Sequence, residues 1–149
     1  MTLKEKIYVQ YQQMLETKIS GLQKQLTDLK ESTANETKST AGDKYETARA
    51  MLQIEQDNTR RQLQEVMEQQ AVFSIIDISL PATEVIRGSL VKTNKGYLFI
   101  SVALGKIVVD GITVIALSPQ SPLGQQLMGM KPTNTTTINN TTYSIEEIL

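Results

Sequence analysis

The sequence predicts an α+β protein, in which an antiparallel α-helical coiled-coil hairpin precedes a small, mostly antiparallel β domain with one short helix. From Met1 to about Gln70 the chain is rich in Gln, Glu, Lys and Leu and has no Pro. After about Val72 it changes to short β-branched runs separated by turn residues. We therefore expect two domains, residues 1–74 and residues 75–149.

Both predicted helices carry the spacing of a coiled-coil seam. In the first, apolar residues recur at alternating steps of four and three, preceded by one aromatic residue a heptad earlier: Leu15, Ile19, Leu22, Leu26, Leu29 and Tyr8. The second helix repeats by sevens, with two partial companions: Tyr45, Leu52, Thr59, Val66, Phe73, Ala48 and Leu63. The second seam is weaker, because Glu55 and Gln62 occupy positions where a long two-stranded coil would place apolar residues.

The segment between the seams predicts the tip of a hairpin. Residues 31–42 contain no periodic apolar residue and many helix-capping types. We expect a tip near residues 31–46, with Leu29 close to Tyr45. Arms of roughly 25–30 residues would be roughly 40 Å long at about 1.5 Å per residue. On periodicity alone, such a hairpin is typical of a spacer or a dimerisation arm.

The second half contains five runs that predict strands: VFSIIDISL, GSLVKT, GYLFISVAL, KIVV and ITVIAL. Hairpin turns are expected at Asn94-Lys95-Gly96 and at Asp110-Gly111, because Gly tolerates positive φ. A last hairpin is expected over TTTINNTTYSIEEIL, with its turn at Asn139-Asn140. These signals indicate a sheet built mainly from antiparallel neighbours.

One short helix is predicted inside this sheet region, over SPLGQQLMG. Ser121 is a suitable N-cap residue, and Pro122 suits the first helical position, where no N–H is needed. Gly129 is a typical residue just beyond a helix end.

Composition excludes most catalytic chemistries. The 149-residue chain has no Cys and no His, so it cannot form a Ser-His-Asp triad, a Cys nucleophile or an ordinary zinc site. A formal net charge of −1 argues against a strongly basic nucleic-acid binder. The longest apolar stretch contains Lys106 and is too short to span a membrane, and no signal-peptide core is present. We therefore expect a cytoplasmic protein without a membrane partner.

The stretch AGDKYETARAML places Asp43 and Glu46 three residues apart at the start of the second helix. Asp-x-x-Glu is a common capping arrangement, in which the carboxylates satisfy backbone N–H groups and the positive end of the helix dipole. The same spacing puts both carboxylates on one face, where they could share a Mg²⁺ ion with a partner. Spacing alone leaves both interpretations open.

A resemblance adds to these observations. GDKYETARAMLQIEQ resembles the tip and second helix of the Gre transcript-cleavage factors of bacterial RNA polymerase, whose pattern is Gly-Asp-Leu-x-Glu-Asn. Gly42, Asp43 and Glu46 fit this pattern, whereas Lys44-Tyr45 stand in place of the usual Leu and the variable residue, and Thr47 replaces the Asn. The C-terminal half is also similar to the family's ending, with a strand, Ser-Pro-Leu, a short helix and a hairpin closing in Tyr-x-Ile-x-x-Ile.

The resemblance implies an FKBP-like second domain that docks on RNA polymerase and a coiled coil that enters its secondary channel. It implies that Asp43 and Glu46 help to hold a Mg²⁺ ion shared with the polymerase, which then hydrolyses backtracked RNA at the nascent 3′ end. Gln120, Ser121 and Pro122 match the docking segment, with Gln120 where Asp or Asn is usual. The chain would then be no enzyme itself, would activate the polymerase's own nuclease, and would take no small-molecule substrate.

Two alternatives stay open from the sequence. The residues KYET, which differ from the family's pattern, are compatible with a regulator that occupies the same channel without stimulating cleavage. An FKBP-like domain also raises the hypothesis of a peptidyl-prolyl isomerase or chaperone. Isomerase pockets are lined by aromatic residues, however, and this domain offers only Phe99, Tyr97 and Tyr143.

Overall fold

The computed structural model describes residues 1–37 and 43–149, without the side chains of residues 36, 37 and 43–45. Two long helices come first, followed by six strands and one short helix. The elements are α1 (Leu3–Thr37), α2 (Asp43–Ser74), β1 (Leu90–Thr93), β2 (Gly96–Ile100), β3 (Gly105–Val109), β4 (Ile112–Leu117), α3 (Pro122–Leu127), β5 (Thr135–Ile138) and β6 (Thr141–Ile148). The predicted α+β class is confirmed.

The chain forms two compact units. One contains residues 13–71, the greater part of both long helices. The other contains residues 1–12 together with residues 72–149. The first turns of α1 and the end of α2 therefore belong to the sheet unit, and we call the two parts the hairpin unit and the sheet unit.

In the hairpin unit, the predicted seams face inwards. Their described members are buried or half-buried: Leu15, Ile19, Leu22, Leu26, Leu29, Ala48, Leu52, Thr59, Leu63 and Val66. Gln25 Nε2 donates to Thr59 Oγ1 at 3.3 Å, and Gln56 Nε2 donates to Thr33 Oγ1 at 2.6 Å. Later residues of α1 thus face earlier residues of α2, as antiparallel helices require.

The register of the hairpin differs from the predicted one. Leu29 was expected to lie close to Tyr45, but it lies next to Gln56, whose Nε2 donates a hydrogen bond to the Leu29 carbonyl oxygen at 3.4 Å. The reason is that α1 continues to Thr37, through much of the segment predicted as a loop. Because a seam repeats every three or four residues, several registers bring apolar side chains together, and the place where the first helix ends selects among them.

The sheet unit contains a six-stranded sheet in the order β3-β4-β2-β1-β6-β5. Residues 90–148, which form this sheet, are described without a gap. Four of its neighbouring strand pairs are antiparallel, and β2 pairs with β4 in parallel. Asp110 and Gly111 have φ of 51° and 76°, and Asn139 and Asn140 have φ of 51° and 64°. These are the left-handed positions of two-residue hairpin turns, so these two predicted turns are confirmed. The third predicted turn, at Asn94-Lys95-Gly96, joins the antiparallel strands β1 and β2.

The prediction of a strand over VFSIIDISL is wrong. α2 continues to Ser74, and residues 75–89 contain no strand. Phe73 is 1% exposed, stacks on Tyr8 with ring centroids 4.6 Å apart, and meets Phe99 edge-on at 6.1 Å. Burial of this ring among aromatic partners stabilises α2 as far as Ser74, although the β-branched composition of this run had indicated a strand.

Both faces of the sheet are covered at strand β2. Leu98 and Ile100 of β2 belong to a core cluster with Leu127 of α3. Phe99 lies between them in the strand and contacts Tyr11 instead, with centroids 6.1 Å apart. Because neighbouring residues of a strand point to opposite faces, α3 covers one face and the N-terminal turns of α1 cover the other.

Candidate functional site

The two carboxylates of the predicted metal pair lie at the start of α2. Asp43 is the first residue of this helix, and its side chain lies outside the described residues. Glu46 follows in the first turn with an exposed side chain. Among the described side chains, none donates a hydrogen bond or forms an ion pair with the Glu46 carboxylate. Among the described residues, this carboxylate is therefore exposed and without a side-chain partner.

The described residues hold no cluster of three or more His, Cys, Asp or Glu side chains that could bind a metal unaided. A Mg²⁺ ion usually keeps several waters and takes only one or two protein carboxylates, with the remaining ligands coming from a substrate or partner. An exposed Glu46 with no partner among the described side chains suits such shared coordination. This residue can contribute a ligand to a site that a partner completes.

The second group of predicted residues surrounds the start of α3. Ser121 is the N-cap, as predicted, and its Oγ accepts a hydrogen bond from the Gly124 N–H at 3.0 Å. The same Oγ donates to the Ser118 carbonyl at 2.7 Å. Pro122 occupies the first helical position and is exposed. Ser121 is thus held by the fold itself, while the Pro122 ring faces solvent.

Gln120 is exposed and is also tied to this turn. Ser118 Oγ donates to Gln120 Oε1 at 2.5 Å and accepts from the Gln120 N–H at 3.1 Å. The Gln120 carbonyl accepts from Gln125 Nε2 at 3.0 Å. The longer side chain, which stands where the resembling family has Asp or Asn, therefore has its own local partner.

Sequence reasoning missed two residues that shape this turn. Ser118 supplies the carbonyl and hydroxyl to which Ser121 and Gln120 bind. Gly124 is buried, and a Cβ at this position would lie 2.0 Å from the Ser118 carbonyl oxygen. The dipeptide Ser118-Pro119 is a known turn signal, whereas the requirement for Gly124 follows only from the approach of the folded backbone.

The two groups of predicted residues belong to different compact units: Asp43 and Glu46 to the hairpin unit, and Gln120, Ser121 and Pro122 to the sheet unit. Over the described residues, neither long helix is apolar enough over a sufficient length to cross a bilayer. Comparisons with known proteins find no matching family model, no similar curated protein and no similar solved structure. We therefore infer function from the residues described above.

Proposed function

We propose that this chain is a Gre-type transcription elongation factor that binds bacterial RNA polymerase through the secondary channel and stimulates cleavage of backtracked RNA. The observation that carries the proposal is the exposed Glu46 in the first turn of α2, which has no partner among the described side chains. It follows Asp43 by three residues in a stretch that resembles the family's tip. The hairpin unit supports it, since a pair of antiparallel helices suits a channel.

In this proposal, Asp43 and Glu46 are ligands of a Mg²⁺ ion that is shared with the polymerase and is not stably bound by this chain alone. A second metal ion in phosphodiester hydrolysis stabilises the attacking and leaving oxygens. The contribution of this chain is to present two carboxylates at the start of one helix. Glu46 can turn towards the ion without breaking an interaction with another described side chain.

The proposal extends to the sheet unit, which we assign as an FKBP-like docking domain acting in the cytoplasm. Gln120, Ser121 and Pro122 would contact the polymerase at the channel rim. Two hydrogen bonds fix the Ser121 hydroxyl, so this turn loses little conformational entropy when a partner binds. RNA polymerase is then the direct partner, and the nascent RNA 3′ end is reached only through it.

The deciding experiment uses a cognate polymerase stalled in a backtracked complex, with RNA shortening followed over time. Wild type is expected to accelerate cleavage in a Mg²⁺-dependent manner. Asp43→Asn and Glu46→Gln should each lose at least about tenfold of that acceleration, equivalent to about 1.4 kcal/mol in the barrier. Glu55→Gln is the matched control, because Glu55 is an exposed carboxylate further along the same helix.

Binding is measured in parallel, by competition for the polymerase, so that lost chemistry is separated from lost docking. Both tip variants should compete as well as wild type does. If wild type binds but accelerates nothing, the second candidate takes its place: a channel regulator without cleavage activity, as the Lys44-Tyr45 and Thr47 differences suggest. If wild type does not bind, both candidates fail.

One observation argues against the isomerase or chaperone hypothesis. Phe99, the first of the three aromatic residues that could line such a pocket, is 0% exposed and packs against Tyr11 and Phe73. This ring is part of the core and cannot contact a bound proline. Only Tyr97 and Tyr143 of the three are then left to line a pocket, and both are half-buried.

A further inference from the structure

The sheet has two outer strands, β3 and β5, and their edges are protected differently. The β3 edge carries an exposed Lys106, and its Val108 carbonyl accepts a hydrogen bond from Gln10 Nε2 at 3.4 Å. Asp110, in the turn after β3, pairs with Lys6 at 2.8 Å. A charged residue and a covering helix are two common devices that prevent an edge strand from pairing with another chain.

The β5 edge has neither a charged residue nor an irregularity in its register. Residues 132–145 contain no charged residue, and β5 itself contains no Pro. It pairs with β6 in an unbroken register from Thr135 opposite Ser144 to Ile138 opposite Thr141. Uncharged β-branched residues in a regular edge strand form a surface with which another strand can pair.

The turn between β5 and β6 determines which backbone groups of β5 face outwards. Ile138 and Thr141 flank a two-residue turn and form a hydrogen-bonded pair, and Thr136 with Tyr143 forms the next one. Thr135 and Thr137 alternate with these pairs, so their N–H and C=O groups point away from β6. Among the described residues, no backbone group outside the β5–β6 ladder bonds to Thr135 or Thr137.

We propose that β5 is a self-pairing edge, to which a second copy of this chain adds its own β5 in antiparallel orientation. A two-fold axis at Thr136 places Thr135 of one copy opposite Thr137 of the other. Each copy then contributes two outward N–H groups and two outward C=O groups, which satisfy those of its partner reciprocally, as an isologous interface requires.

The side chains of β5 favour its own copy as the occupant. Thr135 and Thr137 are exposed and would form Thr–Thr cross-strand pairs, which are favourable. One such contact already exists within the chain, between Thr137 Oγ1 and Thr142 Oγ1 at 3.0 Å. Since no charge lies on the strand, two identical edges can approach without repulsion.

The expected dimer is weak, because a four-residue strand buries far less surface than a stable interface needs. It does not depend on the function proposed above, since β5 contains none of the predicted site residues.

The test measures self-association of the full chain by sedimentation and by amide NMR shifts up to about 1 mM, a range that detects weak complexes. Wild type should show concentration-dependent shifts at residues 135–137 and a rising sedimentation coefficient. Thr137→Pro should abolish both, because it removes an outward N–H that β6 does not use, and Pro is tolerated on edge strands. Thr137→Val is the matched control, which keeps the N–H and the branched side chain and should still associate.

A charge-swap pair tests the geometry without relying on Pro. Thr135→Lys with Thr137→Lys should prevent self-association, and Thr135→Glu with Thr137→Glu should do the same. Mixed together at low salt, the two variants should form a heterodimer, because opposite charges then face each other across the axis. A wild type that stays monomeric overturns the proposal and leaves the edge to a strand of another protein. Association that persists in Thr137→Pro and in both charge variants also overturns it, since the copies then meet elsewhere.

Discussion

At the scale of single residues, Tyr11 joins the first helix to the sheet by a polar contact inside an apolar core. Its side chain is 0% exposed, and its hydroxyl donates to the Gly105 carbonyl at 2.7 Å. Burial raises the pKa of Tyr11 to about 12 from an ordinary value of 10.0. The folded state therefore favours the neutral phenol, which ionises more readily in the unfolded chain.

This linkage predicts a pH dependence of stability. The contribution of Tyr11 is fully present below pH 10 and is lost as the pH rises from 10 towards about 12. Tyr11→Phe should lose about 1 kcal/mol in the free energy of unfolding at pH 7, the usual value of one hydrogen bond. It should also show a shallower loss of stability at alkaline pH, measured by urea unfolding at several pH values.

Tyr97→Phe is the matched control for this prediction, because Tyr97 is only half-buried. Its loss in the free energy of unfolding at pH 7 should be smaller than that of Tyr11→Phe. Equal slopes for wild type and Tyr11→Phe would contradict the linkage.

Single residues with local roles could be predicted from the sequence, whereas those with distant partners could not. The N-cap role of Ser121 depends on its own first turn, and the sequence predicts it. Gly124 is required by the Ser118 carbonyl, whose approach depends on the path of the whole turn. Phe99 and Phe73 have identifiable neighbours only once the chain has folded.

At the scale of elements, a polar seam distinguishes the hairpin from an ordinary coiled coil. Gln56 is 5% exposed and donates to Thr33 Oγ1 and the Leu29 carbonyl. Arg60 in turn donates to Gln56 Oε1 at 3.1 Å. These bonds connect one register of α1 and α2, and a shifted register would leave the buried amide without partners.

We therefore expect Gln56→Ala to destabilise this part of the hairpin by about 1–3 kcal/mol, the cost of unpairing buried polar groups. Amide hydrogen exchange in residues 25–35 and 50–60 should accelerate accordingly, while exchange in the sheet should not change. Gln53→Ala is the control, because Gln53 is exposed and, among the described side chains, bonds only to Asp57. Unchanged exchange in Gln56→Ala would show that the polar seam does not hold the register.

The elements themselves were predicted with uneven success, for a physical reason. Turns such as Asp110-Gly111 and Asn139-Asn140 need positive φ at defined positions, and few residues provide it. The VFSIIDISL run failed because β-branched composition does not show whether Phe73 packs as part of a helix or a strand. The prediction of the hairpin register failed because the heptad pattern is periodic and is therefore compatible with several alignments of α1 against α2.

At the scale of the whole molecule, the sheet unit is assembled from two separate parts of the chain. Ile7 and Tyr11 are fully buried in it, together with Phe73 and Phe99. The predicted second domain, residues 75–149, omits three of these four side chains. A fragment with these limits should expose Phe99 and lose one covered face of the sheet.

Replacing residues 13–71 with a short Gly-Ser linker should instead preserve the sheet unit. The two cut ends are close together, since the rings of Tyr8 and Phe73 stack at 4.6 Å. We expect dispersed amide NMR signals and a cooperative thermal transition for the linked chain, and neither for residues 75–149 alone. A cooperative transition in the shorter fragment would show that the N-terminal turns are dispensable.

The shared sheet unit also sets an order of events during synthesis. Hydrogen bonds of Tyr11 and Lys6 reach partners 94 to 104 residues later in the chain. On a ribosome, the first turns of α1 emerge long before β3 and β4 are synthesised. The apolar side chains of these turns therefore stay exposed until the strands are available to pack against them. Contacts of such long range slow folding, whereas α1 and α2 can pair as soon as both have emerged. The hairpin unit is thus expected to fold first, and the sheet unit only after most of the chain has been translated.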